Sequence, residues 1–296
     1  MASLFGRRFL QIAACLCVPL VLSSCARADV NESASPLSFS ERRKQFTTHL
    51  LKEEASQQEY ERTVPPDMQA VWYTSQGRKL LAWLAIPPGG GKHPAVVFAH
   101  GGFALGSGDW DEIKPFYAAG FAVMLPAWRG ENGNPGYSEM CYGEVDDANA
   151  AINYLASRPD IDRSNIFGAG HSVGATIMML TAELNPNLKK VAAAGGLPSM
   201  AAAGRAYAGA PFNQFDLDER LLRSPGAWLK DLRCPLLLVY APEDPGDRMM
   251  LEQAREMQRN TLSKFPIRIE EVSGVDHYHE IPQAVPIMIR YFQQSN

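Results

Sequence analysis

Ser172 stands in Gly170-His-Ser-Val-Gly174, after the short apolar stretch Ser164–Phe167 and ahead of the apolar run Val173–Leu184. That setting predicts a strand, a sharp turn and a helix, with the hydroxyl lifted above a sheet near the positive end of the helix. So tight a turn leaves no space for a Cβ on either side, which accounts for Gly170 and Gly174. A serine hydroxyl in this position can attack a carbonyl carbon if a base takes its proton and a carboxylate orients the base. Beyond Ser172 the chain has only two histidines, His277 and His279, both in Val272-Ser-Gly-Val-Asp-His-Tyr-His-Glu280. The loop Ala241-Pro-Glu-Asp-Pro-Gly-Asp247 offers three carboxylates: Glu243, Asp244 and Asp247. Asp247 can equally cap the helix that follows.

Elements of alternating type must position these groups. Strands are expected at 70–74, 79–86, 94–99, 121–125, 164–167, 190–194, 235–240 and 267–272, and helices at 109–119, 144–157, 173–184, 247–260 and 283–292. Apolar strands alternating with helices imply an α/β fold, a mainly parallel sheet covered on both faces, with function gathered on loops at the carboxyl ends of the strands. Ahead of the sheet, Ser38–Ala55 reads as a helix with Ser40 as its cap. Residues 198–231 fall where a short cap is inserted, and Met200, Tyr207, Phe212, Phe215 and Trp228 are its candidate pocket residues.

The chain has 296 residues, 46 % hydrophobic and 20 % charged, enough apolar content for one large folded domain or two small ones. With 28 basic and 32 acidic residues and no basic block, nucleic acid is not an expected partner. Met1–Cys25 reads as an export signal: Arg7 and Arg8, an apolar core from Phe9 to Leu22, then Leu-Ser-Ser-Cys25. The core is too short for a comfortable membrane span. Leu-Ser-Ser-Cys resembles the lipobox of bacterial lipoproteins, which implies cleavage before Cys25, a lipid on its thiol and residence in the cell envelope. Ala26 following the cysteine implies the outer membrane. Three parts result: a leader at 1–24, a lipid-anchored tether and helical arm at 25–66, and a catalytic domain at 67–296. Losing the leader's two Arg takes the net charge from −4 to −6. Cys141 and Cys234 then remain in the globular part. They sit at opposite ends of a strand layer ~20 Å deep, so no disulfide between them is expected.

The Ala99-His-Gly-Gly-Phe103 loop, Arg129-Gly130, the run Asp146–Leu155 before Asp162-Arg163 and the serine turn together resemble the α/β-hydrolase superfamily, over about residues 68–294. Within it, the prolyl oligopeptidase and dienelactone hydrolase branch is most similar. The resemblance implies the chain order Ser, Asp, His, with Asp244 as the acid and His277 in the family's terminal Gly-x-x-His-aromatic turn. It also implies that Gly102 and Val173 N–H groups form an oxyanion hole. Three features depart from the pattern. Ala241 replaces a glycine, no propeller-sized segment precedes the sheet, and the position of the peptidases' oxyanion tyrosine is His100. Dienelactone hydrolases use a cysteine nucleophile where Ser172 stands.

The expected activity is a serine hydrolase that forms an acyl-enzyme on a small ester, an amide or a short peptide. The alternative is an envelope lipoprotein that keeps the scaffold for ligand binding without catalysis. His100, Phe103, Arg129 and His171 are expected at the substrate; His100 can instead fix its loop and Arg129 can instead form an ion pair. No cluster with metal spacing, G-x-G-x-x-G or P-loop is present in the sequence, so neither metal nor cofactor is expected, and no protein partner is implied.

Overall fold

The computed structural model describes residues 37–60, 63–200 and 209–295. Eight strands form one sheet: β1 (Gln69–Ser75), β2 (Arg78–Ala85), β3 (His93–Ala99), β4 (Ala122–Pro126), β5 (Ile161–His171), β6 (Leu188–Ala194), β7 (Leu236–Tyr240) and β8 (Ile267–Glu271). Their order is β1-β2-β4-β3-β5-β6-β7-β8. β1, β2 and β4 pair antiparallel, and the others pair parallel. The β1–β2 hairpin turns on Gln76 and Gly77, both in the left-handed region, as a two-residue hairpin loop with the twist of its strands requires. The mainly parallel, two-faced α/β sheet expected from the alternation is therefore observed, in the α/β-hydrolase arrangement that the resemblance implies.

Residue alternation along the parallel strands shows why both faces are covered. Ala95, Val97 and Ala99 of β3 enter one core, under α3 (Gly143–Ser157) and α4 (Val173–Ala182), with Val145, Ile152, Leu155 and Met178. Val96 and Phe98 enter the other, under α2 (Ser107–Ala118) and α7 (Ile281–Gln293). There Phe116, Phe121, Phe167 and Phe292 make five ring contacts with centroids 4.6–6.3 Å apart, Phe292 stacking on Phe116 and Phe167 and the others meeting edge to face. Each such ring, fully buried, contributes about 1.5–3 kcal/mol. α5 (Leu217–Leu221), a 3₁₀ turn at Pro225–Asp231 and α6 (Pro245–Asn260) complete the described elements used below. Among the described residues no helix is long and apolar enough to cross a membrane.

The arm differs from its expected form. Only Phe39–Gln45 is helical (α1), and its cap is Ser38, in a capping box with Glu41. Phe39 is fully buried with its ring 5.3 Å from Trp228, which fixes α1 on the domain. Beyond Phe46 the chain runs extended and satisfies its backbone on other loops. Leu51 N–H donates to Pro211, Ser56 N–H donates to Gly130, and the Glu54 carbonyl accepts from Ser138. Tertiary partners outcompete a marginal helix here. Cys141 and Cys234 are buried free thiols. The candidate leader, Cys25 and Tyr207 lie outside the described residues.

Candidate active site

β5 runs on to His171 and α4 begins at Val173, so Ser172 is the whole turn between them. Its φ is +54°, a left-handed conformation that is costly for a residue with a side chain. The surroundings hold it there. Ser172 N–H donates to the Ala194 carbonyl at 2.9 Å, and Thr176 N–H donates back to the Ser172 carbonyl. A Cβ on Gly170 would lie 2.6 Å from the Gly174 carbonyl oxygen, and one on Gly174 would collide with the carbonyls of Ala99 and His100. Strand, loop and helix therefore pack together only with glycine at both positions.

Ser172 Oγ lies 2.9 Å from His277 Nε2, and His277 Nδ1 lies 2.6 Å from Asp247 Oδ1. His279 is exposed and bonded instead to Asp276. The carboxylate facing His277 is Asp247, which corrects the expectation of Asp244. The cause is where α6 starts. Asp244 is its N-cap, accepting from Gly246 and Asp247 N–H groups, and Pro245 is the first helical residue. Asp247 thereby falls in the first turn, fully buried, with Oδ2 accepting from Ala241 N–H at 2.9 Å. The capping role open to Asp247 belongs to Asp244. Burial works against an ionised Asp247, but hydrogen bonds from His277, from the Ala241 N–H and from Glu280 outweigh it and hold its pKa below the usual carboxylate value.

The His100–Phe103 loop lies against the serine. A Cβ on Gly101 would meet Ser172 Cβ at 3.4 Å. Gly102 has φ +68°, and Phe103 N–H donates to Gln58 Oε1 of the arm at 2.9 Å. Val173 is the first residue of α4, so no carbonyl within the helix is available to its N–H. Gln58 was not anticipated from the sequence, where nothing ties an arm residue to a loop 45 positions away.

A cavity of about 120 Å³ opens beside Ser172 and His277, lined by Met140, Cys141, Thr176, Leu197, Met200 and Met250 among others. Met140 and Cys141 have φ of +52° and +66°. The buried Glu144 carboxyl holds their turn by accepting the N–H groups of Glu139, Met140 and Tyr142. Burial and the nearby Glu139 charge push its pKa up to about 7, against the pull of Arg129.

None of the four residues expected at the substrate lines this cavity. His100 is fully buried, its Nε2 3.2 Å from Glu131. Burial pulls its pKa down, but Glu131 prevails and raises it to about 9, so His100 is a structural cation that braces its loop. Arg129 takes the ion-pair alternative rather than the substrate role. It is 2 % exposed, grips Asp147 through Nε and Nη2, and reaches Glu139 through Nη1. With Nη2 also reaching Gln76, four of its five side-chain N–H groups are engaged, and the guanidinium does not line the cavity. Phe103 is exposed at the loop tip. His171 donates Nε2–H to the His277 carbonyl at 2.9 Å, with the two rings 4.9 Å apart. Of the cap residues, Met200 lines the cavity, Phe212 and Trp228 are buried in the core clusters, and Phe215 is 94 % exposed.

Residues 96–285 match the model of the Alpha/beta hydrolase family. The chain belongs to that family. It is 24 % identical over 224 residues to the uncharacterized peptidase YtmA of Bacillus subtilis (strain 168), covering 71 % of this chain and 86 % of that one. Its fold is similar to that of a puromycin-hydrolyzing peptidase from Mycobacterium tuberculosis, at a TM-score of 0.65 and 19 % identity. That match covers 76 % of this chain and only 38 % of the peptidase. A hyperthermophilic esterase from Pyrobaculum calidifontis matches at a TM-score of 0.62 and 18 % identity, over 76 % of this chain and 85 % of the esterase. The protein is thus a hydrolase by family, and its fold is shared with both peptidases and esterases.

Proposed function

We propose that the protein is a serine hydrolase that cleaves small esters, or amide and short peptide bonds, through an acyl-enzyme. The observation that carries this reading is the unbroken line from Ser172 through His277 to Asp247, at 2.9 and 2.6 Å. Ser172 Oγ attacks the substrate carbonyl as its proton passes to His277 Nε2. Asp247 keeps His277 protonated at Nδ1 and stabilises the imidazolium that forms. Gly102 and Val173 N–H groups hold the oxyanion, each typically worth ~2.7–4 kcal/mol of barrier. The imidazolium then protonates the leaving group, and water repeats the cycle on the acyl-enzyme.

The cavity favours a small acyl group. It is slightly smaller than the ~150 Å³ apolar cavity known to hold a benzene. Export through residues 1–24 and anchoring of Cys25 in the cell envelope by lipid belong to the same reading and rest on the sequence alone. A series of nitrophenyl esters of graded acyl length, assayed beside aminoacyl amides, tests the function. The expected result is a burst of nitrophenol with turnover falling steeply beyond short acyl chains, and no turnover in Ser172→Ala. Folded wild-type protein that hydrolyses none of these substrates would favour the ligand-binding alternative.

A further inference from the structure

Glu280 lies behind the line of reacting groups, at the N-cap of α7, three residues past His277. It is fully buried, and among the described residues no donor satisfies either of its carboxyl oxygens. The nearest ring nitrogen, His171 Nε2, is 3.5 Å from Oε1 and already gives its hydrogen to the His277 carbonyl. The space is closed from the β6 side as well. A Cβ on Gly195 would run into Glu280 Oε1 and come within 2.6 Å of His277 Cε1. Glu280 and Asp247 both face His277: Asp247 Oδ1 lies 2.6 Å from its Nδ1, and a Glu280 carboxyl oxygen lies within 4.8 Å of a His277 ring nitrogen, close enough for each carboxyl to act on the other's ionisation.

Two ionised carboxylates buried beside one histidine repel each other, and a buried carboxylate without a donor is costly. One of the pair must carry a proton. Asp247 has two donors of its own in His277 and Ala241, and Glu280 has none. The proton therefore belongs on Glu280. We infer that Glu280 is a positioning residue: a neutral carboxylic acid whose O–H donates to Asp247 and fixes that carboxylate against His277. This rests on the serine hydrolase reading above and adds a fourth member to its hydrogen-bonded line.

The titratable groups facing Glu280 agree with this assignment. Asp247 and the more distant Asp244, both at the start of α6, oppose a negative charge there, and with burial they raise the Glu280 pKa to about 10. His171, at the end of β5, is kept neutral, because burial and the neighbouring His277 lower its pKa to about 4. Tyr240, at the end of β7, is a buried phenol held neutral by burial and by the Asp247 charge. Among the described residues no side-chain cation lies against Glu280 to balance an ionised form. A single negative charge, on Asp247, stands behind His277.

The test compares Glu280→Gln and Glu280→Leu with wild type through the pH profile of kcat/KM on nitrophenyl acetate. The acid limb reports ionisation of the base in the free enzyme. Gln keeps a neutral donor, so the expected result is a loss of only a few-fold and an unmoved acid limb. Leu removes the donor and leaves Asp247 more basic. The expected result is a loss of about tenfold or more, with the limb rising by roughly half a unit. A limb that falls by about one unit or more in Glu280→Gln would show that a negative charge had been removed, and would overturn the assignment. A Glu280→Leu protein with wild-type rate and limb would also overturn it. If Leu prevents folding, the Gln profile decides alone. Ser172→Ala, assayed in parallel, keeps the two readings separate. Its inactivity upholds the serine mechanism whatever Glu280 does, and residual wild-type activity in it refutes that mechanism independently.

Discussion

Exchanging Asp247 for Asn disables the site through a tautomer, and the geometry fixes which one. Asp247 Oδ2 accepts from Ala241 N–H at 2.9 Å, so in the variant the amide oxygen must stay on that side. The NH₂ then faces His277 Nδ1, 2.6 Å away in the wild type. An imidazole receiving a hydrogen at Nδ1 carries its own on Nε2, which sits 2.9 Å from Ser172 Oγ and can no longer accept the serine proton. A loss of this kind amounts to ~10⁴-fold in kcat, or about 5.5 kcal/mol of barrier. Asp244→Asn is the matched control. Asn caps a helix about as well as Asp, so α6 should keep its start at Pro245, with kcat and melting temperature both near wild type. Asp244→Ala should cost about 1 kcal/mol of stability and little activity. The assay is steady-state hydrolysis of nitrophenyl acetate, with circular dichroism to confirm folding. Near-wild-type turnover in Asp247→Asn, or collapse of turnover in folded Asp244→Asn, would show that Asp247 is not the carboxylate that orients His277.

Further outcomes follow from the same structure. Gln58→Ala removes the acceptor for Phe103 N–H beside Gly102, so kcat should fall by about fivefold, the equivalent of one ordinary hydrogen bond, with KM changing less; steady-state kinetics separates the two parameters. Arg129→Met leaves Asp147 buried without its partner, at a cost of about 3–5 kcal/mol in denaturant unfolding. His171 titrates near pH 6.5 when unfolded and near 4 when folded, so its neutral folded form stabilises fully above pH 6.5 and that contribution is lost as pH falls toward 4. The melting temperature of wild type should therefore drop more steeply across that window than that of His171→Asn.

The fold was legible because both faces of the parallel strands are buried, which leaves runs such as Ala95–Ala99 apolar throughout. The serine turn was legible because its two glycines answer to a steric need that holds in any such turn. His277 was readable from the scarcity of histidines beyond Ser172. The acid was not readable. Asp244 and Asp247 are both within the reach of one loop, and the choice turns on whether α6 begins at Pro245 or two residues later. The proline at the first helical position was the available signal. Arg129 and His100 look like substrate contacts by loop position, yet their buried partners Asp147 and Glu131 come from separate segments. Gln58 was hidden for a similar reason: the arm reaches the Gly102 loop only by abandoning the helix that its apolar spacing favours.

The proposed acyl-enzyme chemistry requires Ser172 to be a nucleophile activated by His277. The most direct test is mass spectrometry of the intact protein after reaction with a fluorophosphonate, which labels only an activated serine. One adduct per wild-type chain is expected, located on the peptide containing Ser172, absent from Ser172→Ala and strongly slowed in His277→Ala. A folded wild-type protein that takes no label, or an adduct that persists in Ser172→Ala, would contradict it.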